Sequence, residues 1–123
     1  MRHILLVVSL LASILFGIVL LTTDAELWDN APSHAYGLIG LVLVDVVLII
    51  ISQRSKNGFL KHVRYIGVVK FLIILGDILT APEFGITYLE FAEYLLSLWA
   101  YDGLLGSQLA IALSSHYHLR RLS

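Results

Sequence analysis

Four long apolar stretches restrict what this chain can fold into. A helix needs about 20 mostly apolar residues to cross the hydrocarbon core of a bilayer. Four segments meet this requirement, namely residues 4–22, 35–52, 63–81 and 88–115. Of all residues, 59% are hydrophobic and only 14% are charged, whereas soluble domains carry about 25% charged residues. The sequence therefore predicts an all-α integral membrane protein in which residues 1–123 form one transmembrane domain.

The first stretch has one competing interpretation, a cleaved signal peptide. It follows a short basic start, as the apolar core of a signal peptide does. Its apolar run is longer than the usual core of about 7–15 residues, and no A-x-A cleavage pattern follows it. We therefore interpret residues 4–22 as a membrane span.

The charged residues are segregated in a way that the net charge of -1 conceals. Short loops rich in Lys and Arg stay on the cytoplasmic side of a membrane. Seven of the eight basic residues lie before the first stretch, between the second and third or at the start of the third, and after the fourth. They are Arg2, Arg54, Lys56, Lys61, Arg64, Arg120 and Arg121. The connections after the first and third stretches contain no Lys or Arg, and their charged residues are all acidic: Asp24, Glu26, Asp29 and Glu83. This pattern predicts a multi-pass protein of the cell (plasma) membrane with both termini in the cytoplasm.

Turn signals separate the four stretches. Residues 30–33 read as a turn, with Ser33 as the N-cap of the second span. Asn57-Gly58 marks the next turn, and Pro82 is expected to end the third span. Because short links join antiparallel neighbours, the chain should form an up-down-up-down four-helix bundle.

Small residues recur at four-residue spacing in the first and fourth stretches. Lipid tails are as apolar as Leu, so helices in a membrane associate through close packing at small residues rather than through burial. The predicted packing positions are Ser9, Ser13, Gly17, Gly103, Gly106, Ala110 and Ser114. These positions would contact either the other helices of this chain or a partner subunit.

Charged residues inside the stretches form a candidate network of Asp45, Lys70, Asp77 and Asp102. A charge at the bilayer centre costs roughly 2.5–3.5 kcal/mol, so it should face protein and find a partner. Asp45 and Lys70 lie at similar depth in adjacent antiparallel spans, which predicts that they pair. Asp102 lies within reach of the long Lys70 side chain. The network would be a structural ion pair, a proton or ion relay, or a contact with a partner subunit.

Motifs for catalysis or cofactor binding are missing. The sequence has no G-x-S-x-G, H-E-x-x-H, P-loop or dinucleotide fingerprint, so we predict no catalytic residue, no cofactor and no metal site. His34, Glu90 and Glu93 are the weak metal candidates, because they would gather at the acidic side. No basic aromatic surface supports nucleic-acid binding.

Three functional classes remain. The missing chemistry and the packing positions favour an accessory subunit that packs against and stabilises the catalytic subunits of a membrane enzyme complex. The charges at mid-depth favour a small oligomeric proton- or cation-coupled transporter or channel that uses Asp45, Lys70 and Asp102. A stand-alone membrane enzyme has the least support. The lipid bilayer and other integral membrane subunits are the expected partners.

One segment resembles a known group of proteins. Residues 28–38, Trp-Asp-Asn-Ala-Pro-Ser-His-Ala-Tyr-Gly-Leu, run on into Asp45. This segment resembles small four-helix membrane proteins of ammonia-oxidising archaea, some of which are accessory subunits of ammonia monooxygenase. The resemblance covers about the first 50 residues and includes no diagnostic motif. It implies that the copper and the catalytic ligands lie in other subunits. A respiratory oxidase subunit would fit the same features.

Overall fold

The computed structural model describes residues 3–54 and 59–121, and these residues are helical almost throughout, with no strand among them. Arg2, Lys56 and the expected Asn57-Gly58 turn lie outside the described residues. The helices are α1 (Ile4–Thr23), α2 (Ala25–Asn30), α3 (Pro32–Arg54), α4 (Leu60–Leu75), a 3₁₀ helix (Gly76–Phe84), α5 (Tyr88–Ser97) and α6 (Trp99–Arg121).

Three segments are long and apolar enough to cross a membrane. They are α1, α3 and the continuous run of α4 and the 3₁₀ helix, Leu60–Phe84. The predicted boundaries are close for α1, whereas α3 begins three residues earlier than expected. The expected N-cap was wrong, because Pro32 starts α3 and Ser33 lies inside its first turn. Proline suits the first helical position, since its fixed φ is already helical and its missing N–H has no partner to lose.

The third stretch ends differently from the prediction. α4 tightens into the 3₁₀ helix at Gly76, and Pro82 lies inside that helix rather than at its end. The helix stops at Gly85, which has a φ of 71°. Glycine adopts this left-handed conformation without the steric cost that a Cβ would add, so it terminates helices readily.

The fourth stretch is two helices rather than one. The backbone is extended at Leu98, which separates α5 from α6. No proline or glycine marks this break in the sequence. Tertiary contacts on both sides accompany it, because α5 packs against the 3₁₀ helix before the break, whereas after it the Trp99 ring packs edge-on against Phe16 and the Tyr101 hydroxyl donates a 2.5 Å hydrogen bond to the Ile74 carbonyl.

α6 occupies the centre of the molecule. It packs extensively against α1 and α4, and α1 also packs against α3, whereas α3 and α4 hardly touch each other. One core cluster includes Leu20, Leu38, Ile74 and Leu104, and a second includes Leu6, Leu48, Val63 and Ile111. The described part of the chain therefore has a cleft between α3 and α4, backed by α1 and α6.

The two core clusters lie toward ends of opposite charge. We call the end near the first cluster the acidic end, which carries Asp24, Glu26, Asp29, Glu83, Glu90 and Glu93. We call the other the basic end, which carries Arg54, Lys61, Arg64, Arg120 and Arg121. Contacts between distant residues join the helices at each end. The Tyr94 hydroxyl donates to Asp24 at 3.1 Å at the acidic end, and Arg64 Nη1 lies 2.9 Å from His116 Nδ1 at the basic end.

Glycine contacts show which predicted packing positions face the interior. A Cβ added to Gly17 would lie 2.7 Å from Val42 Cγ2, and one added to Gly103 would lie 2.4 Å from the Phe16 ring. Gly17 therefore permits the α1–α3 approach, and Gly103 the α1–α6 approach.

The remaining packing positions divide between the interior and the surface. Ser9, Ser13 and Ser114 are buried, and Ala110 is partly buried. Gly106 is exposed, with no atom within 4 Å of an added Cβ. The α6 positions therefore do not share one environment, because the face of α6 that carries Gly106 is uncovered in this chain.

Candidate functional site

The predicted pair of Asp45 and Lys70 is confirmed. The Lys70 ammonium donates to Asp45 Oδ1 across the cleft between α3 and α4. Asp45 is 1% exposed and Lys70 is 3% exposed. Their contact bridges two helices that otherwise scarcely meet, so it fixes how α3 lies beside α4.

Two further polar side chains complete a buried network. The Ser13 hydroxyl donates to Asp45 Oδ2 at 2.6 Å, so both carboxylate oxygens are occupied. Gln108 Nε2 in turn donates to Ser13 Oγ at 2.8 Å and to the Leu104 carbonyl at 3.1 Å. Ser13 and Gln108 are both fully buried. The network therefore connects α1, α3, α4 and α6.

The network lies near the middle of α1, α3, α6 and the continuous run Leu60–Phe84. At 1.5 Å per residue, Asp45 is about 20 Å from the start of α3 and about 14 Å from its end. Ser13 is about 14 Å from the start of α1, and Gln108 is about 14 Å from the start of α6. The network is therefore far from either end of these helices. In such a buried position electrostatic attraction is little screened, and an unpaired charge is costly.

The sequence predicts this network only in part. Ser13 was expected at a helix-packing position, and Gln108 was not among the predicted residues. The available signal was the position of Gln108, a polar amide in the middle of an apolar stretch. Gln108 Oε1 is buried and has no hydrogen-bond partner among the described residues. The Leu104 carbonyl fixes the amide orientation, because it requires a donor on that side.

Asp102 does not belong to the network. It lies in the first turn of α6 on an exposed face, so the expectation that it is buried near Lys70 was wrong. The physical reason is helix rotation. The buried side of α6 carries Tyr101, Leu105 and Gln108, and Asp102 points away from it.

Asp77 lies nearer the acidic end and pairs with His34. The His34 Nδ1 atom is 2.5 Å from Asp77 Oδ1, and both side chains are partly buried, at 20% and 23% exposure. This contact is the second polar bridge between α3 and the α4–3₁₀ segment. It also places His34 in a hydrogen-bonded role at the interface.

A cavity of about 320 Å³ opens between the two bridges on the acidic side of the network. Leu41 and Leu104, which line it, lie one helical turn from Asp45 and Gln108. Its wall is mostly leucine and isoleucine, and its polar residues are Asp24, Ser33, His34, Asp77 and Tyr101. It is large enough for a small ligand, since such sites begin at about 300 Å³.

A wider space of about 640 Å³ joins this cavity to the acidic end. The two spaces share Asp24, His34 and Asp77, and the wider one adds Glu26, Glu83 and Glu90. Neither lining includes a Lys or Arg. The combined space therefore attracts cations and repels anions.

The weak metal candidates do not form a site together. Among residues 3–54 and 59–121, no group of three or more His, Asp or Glu side chains is arranged to hold a metal ion. Glu90 instead belongs to the start of α5. Its backbone N–H donates to Thr87 Oγ1 at 3.1 Å, and its carboxylate accepts from the same hydroxyl at 3.0 Å. This T-x-x-E pattern is a capping signal that the sequence contained.

Comparison of the chain with protein-family models, curated proteins and solved structures finds no match. The resemblance of residues 28–38 to ammonia monooxygenase subunits therefore stays a prediction.

Proposed function

We propose that this chain is an accessory subunit of a multi-subunit membrane enzyme complex and contributes no catalytic residue of its own. It packs against the catalytic subunits and stabilises them. In this proposal α1, α3, the α4–3₁₀ segment and α6 cross the plasma membrane as an up-down-up-down bundle, with the basic end and both termini in the cytoplasm. The segregation of Lys and Arg to the basic end supports this orientation.

α6 suits the fourth span although its composition is less apolar. Its buried side carries Ser107, Gln108 and Ser115, which contact protein rather than lipid. Their donor groups are used within the chain, because the Ser107 and Ser115 hydroxyls and the Gln108 amide N–H all donate to nearby oxygen atoms; Gln108 Oε1 has no partner among the described residues. Polar groups are tolerated in a membrane when they are satisfied in this way.

The observation that carries the proposal is the exposure of Asp102. Its neighbour Gly103 packs against Phe16, which precedes Thr23 by seven residues in α1. Asp102 therefore lies about 10 Å below the end of α1, at 1.5 Å per residue. At that depth a carboxyl facing lipid is unfavourable, so the face should be covered by protein. Gly106, one turn further on, leaves room for another helix to approach closely.

The kind of complex follows from the resemblance. An archaeal ammonia monooxygenase, or a respiratory oxidase, has catalytic subunits within the membrane that hold the metals. The described residues of this chain form no metal cluster, and they present an acidic end. We propose such an oxidoreductase complex as the partner, with the metal chemistry in the other subunits.

A small proton- or cation-coupled transporter is the alternative. The mid-depth pair of Asp45 and Lys70, together with the unpartnered Gln108 Oε1, favours it. Against it, Asp102 is remote from the pair, and both oxygens of Asp45 are already hydrogen-bonded. Such a closed network holds helices together more readily than it passes ions.

Purification of the tagged chain from its native membrane in mild detergent tests the proposal. Wild-type protein should elute in a hetero-complex of fixed stoichiometry. Asp102→Asn and Gly106→Leu should release the chain from that complex, because both change the uncovered face of α6. Asp29→Asn and Gly40→Leu are the matched controls, since these exposed positions lie on α2 and α3; both should leave the complex intact.

Two results would contradict this proposal. The first is a hetero-complex that survives both α6 substitutions, which would place the interface elsewhere. The second is a homo-oligomer that moves protons or cations across liposomes and loses this activity in Lys70→Met. That second result would support the transporter instead.

A further inference from the structure

We propose that the cavity between α1, α3, α4 and α6 is a binding site for an organic ammonium ion, with the charged nitrogen at Asp77 and the apolar body in the cavity. This inference requires only that the chain is folded in a bilayer. It is independent of the subunit function proposed above, because the cavity lies inside the chain and the uncovered face of α6 lies outside it.

The interior of the cavity accounts for the apolar part of the ligand. Leu38, Leu41 and Ile74 line it on the α3 and α4 sides, and Leu104 lines it on the α6 side. The Tyr101 hydroxyl at its wall already donates to the Ile74 carbonyl, so it is not free to donate to a ligand. A hydrocarbon group gains free energy by leaving water for such a surface, at roughly 25 cal/mol per Å².

The charge at the mouth accounts for the ammonium group. Asp77 accepts from His34 through Oδ1, and its Oδ2 has no donor among the described residues. Asp24 lies at the same mouth, with Oδ1 accepting from Tyr94. A carboxylate oxygen that lacks a donor in a partly buried site favours a charge-assisted N–H donor. No Lys or Arg in the cavity lining competes for that place.

The same arrangement selects against other ligands. An anion at the mouth would face Asp24 and Asp77, with the further acids Glu26, Glu83 and Glu90 close by. A neutral analogue would fill the cavity but would leave Asp77 Oδ2 without its charged donor. A metal ion lacks the cluster of ligands that it needs among the described residues. An amine with a compact apolar group places its ammonium at the Asp77 carboxylate and its apolar group in the cavity.

Calorimetric titration of the full chain in phospholipid nanodiscs tests this proposal. The probes are benzylammonium, benzyl alcohol and benzoate at neutral pH, with heats from empty nanodiscs subtracted. Benzylammonium should bind with one site per chain. Benzyl alcohol should bind at least about tenfold more weakly, which corresponds to about 1.4 kcal/mol, and benzoate should not bind.

Two substitutions with matched controls connect binding to the cavity. Asp77→Asn should weaken benzylammonium binding at least about tenfold, whereas Glu93→Gln changes an acid that lines neither space and should have no effect. Gly37→Leu should abolish binding by filling the cavity. Gly40→Leu is its control, because both glycines are exposed on α3 and have open space at Cβ, but only Gly37 lines the cavity.

The binding measurements can overturn the proposed site in three ways. Equal binding of benzyl alcohol and benzylammonium would overturn the proposal, because the site would then recognise only an apolar group. Unchanged binding in Asp77→Asn or in Gly37→Leu would also overturn it, because the ammonium would then bind elsewhere. Helicity of each variant, measured by circular dichroism in the same nanodiscs, should match wild type. None of these results depends on a partner subunit.

Discussion

Ser13 donates a 2.6 Å hydrogen bond to Asp45 Oδ2, and its oxygen accepts one of 2.8 Å from Gln108 Nε2. One hydroxyl thus joins α1 to both α3 and α6 at mid-depth. Because the Lys70 ammonium occupies the other oxygen of Asp45, three helices meet at one carboxylate, and α6 is joined to them through Ser13. Loss of any member leaves a buried polar group without its partner, and such groups are costly.

Lys70→Met should destabilise the chain by about 3–5 kcal/mol, because it leaves Asp45 buried without its counter-charge. The double variant Asp45→Leu with Lys70→Met should recover most of that loss, since neither charge then remains. Lys61→Met, at an exposed lysine of the basic end, is the control. Thermal unfolding in mild detergent measures all three. If Lys70→Met unfolds at the wild-type temperature, the ion pair does not hold α3 beside α4.

Ser13→Ala should cost about 0.6–1.7 kcal/mol, which runs from the average to the largest value measured for hydrogen bonds between membrane helices. It removes a donor to Asp45 and an acceptor for Gln108. Ser9→Ala is the matched control, because the Ser9 hydroxyl donates only to the Leu5 carbonyl of its own helix, at 2.8 Å. Denaturant titration of both variants gives the comparison. Equal losses for the two serines would show that the contact between helices adds nothing.

Gly103→Ala should destabilise the chain by about 1–3 kcal/mol, because the added methyl would overlap the Phe16 ring and force α1 and α6 apart. Gly106→Ala should be neutral or stabilising by up to about 1 kcal/mol, since it adds helix propensity in open space. Thermal unfolding of the isolated chain distinguishes the two glycines. A neutral Gly103→Ala would mean that α1 and α6 do not pack so closely there.

Tyr94 should titrate at an unusually alkaline pH. It lies in α5, outside α6 and the three candidate spans. Burial and then the neighbouring Asp24 carboxylate raise the pKa of Tyr94 to about 12. Since the unfolded pKa is about 10, the stability linked to neutral Tyr94 is complete below about pH 10. It is lost as the pH rises through about 12.

The tyrosinate absorbance of wild type minus that of Tyr94→Phe gives the titration of this one side chain. The difference should have its midpoint near pH 12. Tyr88→Phe, which changes an exposed tyrosine of the same helix, is the control. A Tyr94 midpoint near pH 10 would mean that its hydroxyl is free of Asp24.

Counting residues along each span predicted the contact of Asp45 with Lys70, because depth depends only on position within a helix. The same counting placed Asp102 close enough to Lys70, and that inference was wrong. Depth says nothing about rotation around the helix axis. The contacts of Gly103 with Phe16 and of Tyr101 with Ile74 turn Asp102 outward.

The break at Leu98 could not be predicted for a similar reason. No proline or glycine interrupts residues 94–102, so local preference favours one continuous helix. The chain instead bends so that α5 packs against the 3₁₀ helix while α6 passes between α1 and α4. The T-x-x-E pattern at Thr87, by contrast, is a local signal for the start of α5, although it was not used to predict that start.

Four apolar stretches in the sequence predict a helical membrane protein, and three of these stretches lie in helices long enough to cross a membrane. Acids and bases also separate along the chain. Composition and order alone fix these properties. Helix packing, in contrast, brings Ser13 and Gln108 to the ion pair and opens a cavity beside it. It also leaves Asp102 and Gly106 on an uncovered face of α6. These features depend on how each helix is rotated against its neighbours, and packing between residues distant in sequence sets that rotation.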